Sequence, residues 1–384
     1  MSKKKIFIIY QYFGTKNSKW STRWYDFSQE LVANDYDVTV ITSNFIRSDF
    51  KKVNFFKSFV VDNVKVKLFP FGDGNNLKLL HRVFNSLFFM IFSSIYLFFV
   101  RADKYVFSSG PITAAIPIIF KKKNKTILEV RDLWPDGGFV MNKIPSFLSK
   151  PLFLAQKIIY NSAGQIITCS PAQLSYIVSH YPTLIERISC VEHGIDPRIL
   201  NYATKYNSLN SNNILKYWVV VATLGYIHNP GKWLELAKNL NKIDSNIKLV
   251  LIGSGPLQKE VSDNINKYNI NNIILTGQLT KEELSKWIIK AEFCLFTTLE
   301  NSVQLTSAPN KIYDYIAFKK PILIDLDMWH LNHYNEIIWK VDFVNFSKKH
   351  LASIRNKNSI LDKKIFDFYI DKLSRKKLAI KYIK

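Results

Sequence analysis

Short apolar runs alternate with amphipathic segments along most of this chain. In the first half, this pattern predicts a strand, a helix and a second strand over residues 6–10, 24–34 and 38–41. Further strands are predicted at residues 64–69, 104–107, 126–130, 165–169 and 188–191. Strands that alternate with helices in this way are typical of a doubly wound α/β sheet.

The same alternation returns in the second half of the chain. Strands are predicted at residues 217–222, 247–252, 273–276, 293–296 and 322–324, with helical patterns between them. Residues 198–213 are polar and aperiodic, which predicts a linker between two domains. We therefore expect one α/β domain over residues 1–200, a second over residues 201–361, and a basic helical tail over residues 362–384.

Residues 83–100 form the most apolar segment, bounded by Arg82 and Arg101. Its length is at the threshold of about 18 residues for a membrane-spanning helix. Interspersed Asn and Ser residues dilute it, and a span would interrupt an α/β domain. The pattern therefore favours a buried or partly exposed helix of the first domain. A membrane span and a helix that rests on a membrane surface remain as alternatives.

Composition agrees with a folded, basic protein of two domains. The 384 residues are 47% apolar and carry a formal net charge of +23. Excess lysine along the whole chain indicates an acidic partner, which could be anionic lipid, a phosphorylated substrate or nucleic acid. A composition rich in Lys, Asn and Ile is equally expected from an AT-rich genome.

Several common classes of site are absent from the sequence. Cys169, Cys190 and Cys294 lie in apolar runs without a Cys-x-x-Cys pattern, so we expect neither a metal site nor redox chemistry. The first apolar run is too short for a signal peptide, which favours the cytoplasm. After the first strand only Gly14 is present, so the dinucleotide-binding fingerprint is missing. Arg23 begins the first helix, where it could meet either an anion or an internal carboxylate.

A loop opens a short helix at Pro309, just before the last predicted strand. Ile312, Ile316 and Tyr315 would form the buried side of this helix. Its first turn presents unpaired amide groups that suit a phosphate, and Asp314 could accept hydrogen bonds from a ribose diol. Taken alone, these residues fit an ordinary loop–helix–strand joint at least as well.

Four motifs in order along the chain resemble those of one enzyme family. They are EVRDLWP at residues 129–135, LIGSGP at residues 251–256, ILTGQL at residues 274–279 and PNKIYDYIA at residues 309–317. Together they resemble GT-B glycosyltransferases of the retaining family 4. The most similar branch includes bacterial amino-deoxyhexose transferases of surface-polysaccharide assembly.

The resemblance implies two Rossmann-like domains that face an interdomain cleft, with the donor held by the second domain. Asp314 matches the residue that binds the ribose, and Asn310 and Lys311 match positions near the diphosphate. Gly277 and Leu279 match the loop at the base. The implied donor-binding residues are Gly225, Gly253, Gly277, Leu279, Thr306, Ser307, Asn310, Lys311 and Asp314.

The sequence departs from the family pattern in two places. Thr306, followed by Ser307, stands where relatives have a second acidic residue, so hydroxyl or backbone groups would contact the donor sugar. This favours a deoxy or amino sugar. The basic pair expected after the first strand of the second domain is irregular, and either Lys232 or Lys311 would have to stabilise the leaving diphosphate.

On the acceptor side, the resemblance implies catalytic roles for Asp132 and Arg131. Asp132 lies where many relatives have a histidine near the reacting sugar. Gly14 and Arg23 are the further candidates for contact with the acceptor.

The predicted function is therefore retaining, metal-independent transfer of a sugar from a nucleotide diphosphate, with a UDP-sugar as the expected donor. The expected acceptor is a saccharide or lipid-linked saccharide of capsule, O-antigen or another surface glycan. No cofactor and no nucleic acid are expected to take part. The apolar segment and the net charge predict a peripheral position on the inner face of the plasma membrane. A nucleotide-sugar epimerase of the same fold and a basic scaffold that binds membrane or nucleic acid are the alternatives.

Overall fold

The chain divides into two compact α/β units, each with its own sheet and hydrophobic core. One unit comprises Met1–His193 with Arg375–Lys384, and the other comprises Gly194–Ser374. The computed structural model describes residues 3–18, 22–44, 50, 54–70, 79–142, 144–209, 217–301, 303–307 and 309–383.

The first unit is built on an eight-stranded sheet. Its strands are β1 (Lys4–Ile9), β2 (Tyr36–Ser43), β3 (Lys57–Val61), β4 (Val64–Phe69), β5 (Lys104–Ser108), β6 (Thr126–Val130), β7 (Gln165–Thr168) and β8 (Ile188–Cys190). They lie in the order β3-β4-β2-β1-β5-β6-β7-β8, and all neighbours are parallel except β3 and β4. The predicted strands are present, and β3 is an additional edge strand. It pairs with β4 across Asp62 and Asn63, whose positive φ angles of 48° and 68° suit a two-residue hairpin.

Helices cover the first sheet. They are α1 (Arg23–Ala33), α2 (Leu79–Phe99), α3 (Asp136–Val140), α4 (Ser149–Ser162) and α5 (Pro171–His180), with a 3-10 helix at Ile112–Phe120. The hydroxyl of Ser170 accepts a hydrogen bond from the Gln173 amide and so caps α5, as its Ser-Pro start predicts.

The second unit is built on a six-stranded parallel sheet. Its strands are β9 (Tyr217–Val221), β10 (Lys248–Ile252), β11 (Ile273–Gly277), β12 (Phe293–Phe296), β13 (Ile322–Ile324) and β14 (Ile338–Lys340), in the order β11-β10-β9-β12-β13-β14. Its helices are α6 (Pro197–Leu209), α7 (Pro230–Ile243), α8 (Gln258–Lys267), α9 (Lys281–Ile288), α10 (Asn310–Ala317), α11 (Lys348–Ile360) and α12 (Lys364–Lys372). The three-residue strand β14 was not predicted.

The predicted linker is wrong. Residues 198–209 belong to helix α6, and the boundary between the units lies after His193. Ile199, Ala203 and Tyr206 are buried in the core of the second unit. Their spacing of four and three residues is helical, but intervening polar residues hide it. The remaining linker positions, 210–213, lie outside the described residues.

The predicted C-terminal tail also differs from the structure. Helix α12 buries Phe366 and Tyr369 in the core of the second unit. A last helix, α13 (Arg375–Ile380), belongs to the first unit, where Leu378 and Tyr382 are buried. Residues 362–384 are therefore divided between the two units.

Helix α2 turns much of its apolar surface outward. The exposed apolar side chains, called here the apolar face of α2, are Val83, Phe84, Leu87, Phe88, Ile91, Ile95, Phe98 and Phe99. Its buried side includes Ser86 and Ser93 together with Phe89 and Leu97. The prediction of a partly exposed helix in the first domain is confirmed. Among the described helices, none combines the length and the apolar character needed to cross a membrane.

The neighbouring 3-10 helix packs against α2 and also exposes two apolar side chains, Ile119 and Phe120. Next to them, the Lys121 ammonium donates hydrogen bonds to the backbone carbonyls of Leu97 and Val100 at the end of α2. Lys121 is thus used to cap the helix. Lys122 and Lys123 are exposed.

Candidate functional site

The carboxyl ends of the strands in the second sheet lie at one edge, because all six strands are parallel. Parallel α/β sheets bind ligands at this edge. Gly225, Gly253 and Gly277 follow or end strands β9, β10 and β11. Most of the predicted donor-binding residues therefore lie in segments that begin at this edge of the second sheet.

Hydrogen bonds tie the loop after β9 to the loop after β12. The Leu299 amide donates to the Ile227 carbonyl at 2.8 Å, and the Thr298 hydroxyl donates to the same oxygen at 3.1 Å. The Thr297 hydroxyl donates to the backbone carbonyl of His228. These bonds fix the 3-10 turn that contains His228.

The side chains of His228 and Lys311 meet within this region. Lys311 Nζ lies 3.4 Å from His228 Nε2, while His228 Nδ1 lies 3.3 Å from the Thr297 carbonyl oxygen. A carbonyl can only accept, so we assign the proton to Nδ1, and Nε2 then accepts from the ammonium. The ammonium also lies 5.6 Å from the centre of the Phe296 ring.

The pair is electrostatically unusual. Burial lowers the pKa of Lys311 to about 7, although Asp314 opposes this effect. Burial, and then the charge of Lys311, lowers the pKa of His228 to about 4. Both residues are half-buried and keep part of their surface exposed. Among the described residues, no carboxylate forms an ion pair with Lys311.

Helix α10 begins beside this pair. Ile312, Tyr315 and Ile316 are buried, as predicted. The Tyr315 hydroxyl accepts a hydrogen bond from the Val221 amide at 2.9 Å and lies 3.3 Å from the Leu295 carbonyl, which anchors the helix to the ends of β9 and β12. No side chain caps the helix at Pro309. Its first amides can therefore bind an anion.

Asp314 and Asn310 occupy the positions on α10 that the sequence predicts. Asn310 is the first residue of the helix, and Asp314 lies one turn later, half-buried. An acceptor-only carboxylate one turn from an anion site has the chemistry needed for a ribose diol. Its role in binding stays a prediction.

Lys232 differs from Lys311 because it has an internal partner. Its Nζ lies 2.6 Å from Oδ2 of Asp325, whose side chain is only 3% exposed. Burial raises the pKa of the Asp325 carboxyl above its usual value, although hydrogen bonding and charge from Lys232 oppose this rise. Lys232 was predicted as a cation for an external phosphate. In the structure it first neutralises a buried carboxylate.

The predicted glycines have different local roles. A Cβ atom on Gly253 would lie 2.0 Å from the Ala222 carbonyl oxygen, and φ there is +139°. Gly277 has a φ of +71° with open space around it. Gly253 therefore allows the backbone after β10 to contact the segment after β9, whereas Gly277 supplies an unusual backbone conformation beside open space.

The remaining donor-binding candidates lie around the same region. Leu279 is half-buried against the core of the second unit. The Thr306 hydroxyl is buried and donates to the Val303 carbonyl at 2.7 Å. The Ser307 carbonyl lies 3.1 Å from His330 Nε2. The Thr306 hydroxyl is thus already used within its own 3-10 turn.

A buried carboxylate, Glu129, organises the equivalent edge of the first unit. It pairs with the guanidinium of Arg23 and accepts hydrogen bonds from Trp24 Nε1 (2.7 Å), the Ser108 hydroxyl (2.5 Å) and the Tyr382 hydroxyl (2.9 Å). Burial alone would raise the pKa of Glu129. The positive charges nearby and these hydrogen bonds instead hold that pKa below its usual range.

The prediction that Arg23 contacts the acceptor is wrong. Its side chain has no exposed surface, and it also donates to the carbonyls of Val191 (2.7 Å) and Glu192 (3.2 Å). The internal carboxylate that the sequence left as an alternative is Glu129. Arg23 therefore joins α1 to β6 and to the end of β8.

Arg131 and Asp132 follow β6 at the same edge. Arg131 donates to the Tyr10 hydroxyl at 2.6 Å, and its carbonyl accepts from Gln173 at 2.9 Å, so its position is fixed. Partial desolvation by the surrounding protein raises the pKa of the Asp132 carboxyl. Because Asp132 is exposed, contact with water limits this rise. Gly14 is buried in the loop after β1.

Three residues of these networks were not among the predicted site residues. His228 stands in the glycine-bounded loop at residues 225–231, and Asp325 directly follows a predicted strand. Either position could have been suspected from its place at a strand end. Glu129 stands inside an apolar strand, where a charged residue signals a buried partner. Within the described residues, no group of three His, Cys, Asp or Glu side chains could hold a metal ion, and metal independence stays a prediction.

Comparison with known proteins finds a family-model match over part of the second unit. Residues 219–325 match the family model described as Glycosyl transferases group 1. An uncharacterized glycosyltransferase of Methanocaldococcus jannaschii is 23% identical over 210 residues, which are 53% of this chain and 49% of that protein. The match thus spans about half the length of this curated relative.

Solved structures match over nearly the whole chain at low sequence identity. A sucrose-phosphate synthase of Thermosynechococcus elongatus has a TM-score of 0.70 and 12% identity, with 99% of this chain and 97% of that chain covered. WaaG, a glycosyltransferase involved in lipopolysaccharide biosynthesis, has a TM-score of 0.63 and 14% identity, and HepE of Anabaena in complex with UDP has 0.64 and 12%, each with 98% of both chains covered. The two α/β units of this chain have the GT-B fold of the glycosyltransferases.

Proposed function

We propose that this protein is a retaining glycosyltransferase that moves a sugar from a UDP-sugar to a saccharide or lipid-linked acceptor. The observation that carries the proposal is the Lys311–His228 pair at the start of α10. It provides a cation without a carboxylate partner, beside uncapped helix amides. Residues 219–325, which match the family model, contain this site. HepE, which has the same fold, binds UDP.

The diphosphate of the donor would lie against the first turn of α10. Amide groups of Asn310 and Lys311 would donate to its oxygens, and the Lys311 ammonium would add a charge-assisted hydrogen bond. Asp314 would accept hydrogen bonds from the ribose. The open space at Gly277 and the nearby side chain of Leu279 would hold the base.

The chemical step breaks the bond between the anomeric carbon and a phosphate oxygen of the donor. A hydroxyl oxygen of the acceptor forms the new bond on the same face, and its proton leaves with the departing diphosphate or passes to solvent. Negative charge develops on the diphosphate, so fixed positive groups near α10 would lower the barrier. This mechanism requires neither a cofactor nor a metal ion. Arg131 and Asp132 would act on the acceptor side.

A surface glycan is the proposed product, with an amino or deoxy sugar as the transferred group. WaaG shares the fold and acts in lipopolysaccharide biosynthesis. Thr306 supplies no carboxylate for the sugar, which supports a donor with fewer free hydroxyl groups. The motifs that resemble amino-deoxyhexose transferases support the same choice.

A lipid-linked acceptor is supported by the outer surface of the first unit. The apolar face of α2 exposes eight large side chains to solvent, and the 3-10 helix that packs against α2 exposes Ile119 and Phe120. Exposed Lys122 and Lys123 flank it, and the chain as a whole carries +23. Such a surface suits the anionic, inner face of the plasma membrane, which fits a peripheral protein of the cytoplasm.

The activity can be tested with a panel of nucleotide sugars and a lipid extract that supplies acceptors. Release of UDP and a labelled product would support the proposal, and NMR of the product would report whether the anomeric configuration is retained. Chelation of divalent cations should leave the rate unchanged. Conversion of the sugar without an acceptor would instead indicate an epimerase. If no nucleotide sugar in the panel bound to the protein, the proposal would be overturned.

Membrane docking can be tested by sedimentation with vesicles that contain anionic phospholipid. Replacing Phe98 and Phe99 by Ser, or Lys122 and Lys123 by Gln, should weaken binding. Lys121 is unsuitable for this test because it caps α2. The matched control replaces Lys348 and Lys349 of α11 in the other unit by Gln, which removes the same charge elsewhere. Equal losses in the test and control variants would contradict docking through α2.

A further inference from the structure

His228 holds Lys311 in a defined geometry. One ring nitrogen faces the ammonium at 3.4 Å, and the other faces the Thr297 carbonyl at 3.3 Å. The Thr297 hydroxyl donates to the backbone carbonyl of His228, so the backbone that carries the ring is held as well. The Phe296 ring lies on a further side of the ammonium. This arrangement limits the directions in which Lys311 can donate.

The charges around the pair favour an added anion. Asp314, on the same helix, is the acidic group that most affects Lys311. On α7, Lys232 is already paired with Asp325 from the end of β13. Glu300, in the loop after β12, is exposed and is near enough to raise the pKa of Asp325. Among the described residues, none of these carboxylates lies within ion-pair distance of Lys311.

We propose that His228 is a positioning residue for Lys311, and that the pair takes up one proton when a diphosphate binds at the start of α10. This inference rests on the proposed donor site. In the free protein, burial disfavours the charged form of Lys311, and the neutral His228 ring can accept a hydrogen bond but supplies no counter-charge. A bound diphosphate supplies the missing negative charge, and the charged form then prevails.

Because UDP binding is accompanied by proton uptake, we expect the affinity for UDP to decrease as the pH rises. Lys311 has a pKa of about 7 without a ligand. Below that pH, the lysine is already protonated, and binding needs no proton. Above it, binding must first add a proton, so the affinity for UDP should fall about tenfold for each pH unit. At pH 8, binding should take up roughly one proton per UDP.

Isothermal calorimetry with UDP at pH 8 measures this uptake. The observed enthalpy, compared between two buffers with different ionisation enthalpies, gives the number of protons exchanged. The wild-type protein should take up about one proton. The Lys311→Arg variant should take up none, because arginine stays protonated, and its UDP affinity should be constant between pH 7 and 9.

Two further variants separate positioning from a structural role. His228→Ala should weaken UDP binding and also reduce proton uptake, because Lys311 gains contact with water and stays protonated. His228→Gln keeps a carbonyl oxygen that can accept from the ammonium, so it should recover part of the affinity. If His228 were merely structural, the Ala variant would lose affinity with the proton uptake unchanged, and this result would overturn its positioning role.

Lys320 provides a matched control. It is another buried lysine, with a pKa lowered by burial to about 8, but it donates to the Ala291 carbonyl at 2.9 Å within the core. The Lys320→Arg variant should keep the proton uptake. Uptake that persists in Lys311→Arg, or UDP binding without uptake in the wild type, would overturn this inference alone. If UDP did not bind at all, the proposed function would fail as well.

Discussion

Two basic side chains at strand edges, Arg23 in the first unit and Lys311 in the second, have opposite environments. Arg23 is fully buried and paired with Glu129, whose oxygens also accept hydrogen bonds from Trp24, Ser108 and Tyr382. Lys311 is half-buried beside a histidine that is neutral at pH 7. Arg23 therefore has a buried counter-charge within the protein, whereas no carboxylate among the described residues lies within ion-pair distance of Lys311.

This difference separates a structural charge from a functional one. A buried charge destabilises the fold unless a counter-charge and hydrogen bonds compensate it. The first unit provides this compensation from its own side chains, and the network ties together α1, β5, β6 and the segment after α13. Among the described residues of the second unit, no carboxylate pairs with Lys311, and the phosphate groups of a ligand can provide the counter-charge. Perturbed charges of this kind are common at functional sites.

The largest effect is expected from breaking the closed network. Glu129→Gln leaves the Arg23 guanidinium buried without a counter-charge, so the free energy of unfolding of the first unit should fall by about 3–5 kcal/mol. Urea denaturation followed by circular dichroism would measure the loss.

Glu292→Gln is the matched control for this substitution. Glu292 pairs with Arg355 at 2.7 Å, but the Arg355 side chain is 36% exposed. Its neutralisation should cost about 1 kcal/mol or less. Equal losses of unfolding free energy in the two variants would mean that burial does not increase the cost of removing the counter-charge of Arg23.

The opposite behaviour is expected at Lys311. Lys311→Met should weaken UDP binding by roughly 10–100-fold, the effect of losing a charged hydrogen bond. It should leave stability unchanged or slightly increased, because it removes an uncompensated cation. Calorimetry and urea denaturation of the same sample would test both parts. A large loss of stability would show that Lys311 serves the fold, as Arg23 does.

Most of the fold could be predicted because its strands are continuous apolar runs between breakers. The run at residues 126–130 is an example, since it matches β6 at both ends. Helix α6 was missed because its buried Ile199, Ala203 and Tyr206 are separated by polar residues and an Asn-rich segment follows. The position of α13 was missed because Tyr382 carries no local signal that its hydroxyl reaches Glu129, 253 positions earlier.

The site was harder to predict than the fold, because pairing between distant residues determines which charges are free. The helix start at Asn310 follows from local sequence. Nothing local indicates that Lys232 faces Asp325, 93 residues later, or that Lys311 faces His228 across 83 residues. Arg23 and Lys311 were both plausible anion ligands in the sequence. Only the location of Glu129 distinguishes them.

Lys232 is intermediate between Arg23 and Lys311. It is paired, as Arg23 is, but its side chain is 22% exposed. A double-mutant cycle of Lys232→Met and Asp325→Asn should give a coupling free energy of about 1–2 kcal/mol in urea denaturation. The value should exceed that of the exposed Lys340–Asp327 pair, where the N–O distance is 3.2 Å. Coupling near zero would leave Lys232 available for the donor, as the sequence suggested.

The smallest effect concerns Lys320, a cation that the core of the second unit holds without a carboxylate. Its Nζ donates to the Ala291 carbonyl, and burial lowers its pKa to about 8, compared with 10.5 when it is exposed. Between these values the unfolded chain binds more protons than the folded chain, so this lysine makes stability rise with pH. Below pH 8, the folded protein bears the full cost of burying the Lys320 ammonium. This cost decreases as the pH approaches 10.5. Between pH 8 and pH 9, the free energy of unfolding of the wild type should rise by about 1 kcal/mol relative to that of Lys320→Met. Urea denaturation of both proteins at each pH measures the difference, in which the titration of shared tyrosines and cysteines cancels. Parallel stability profiles would mean that Lys320 stays protonated in the core, and that a backbone carbonyl alone compensates a buried ammonium.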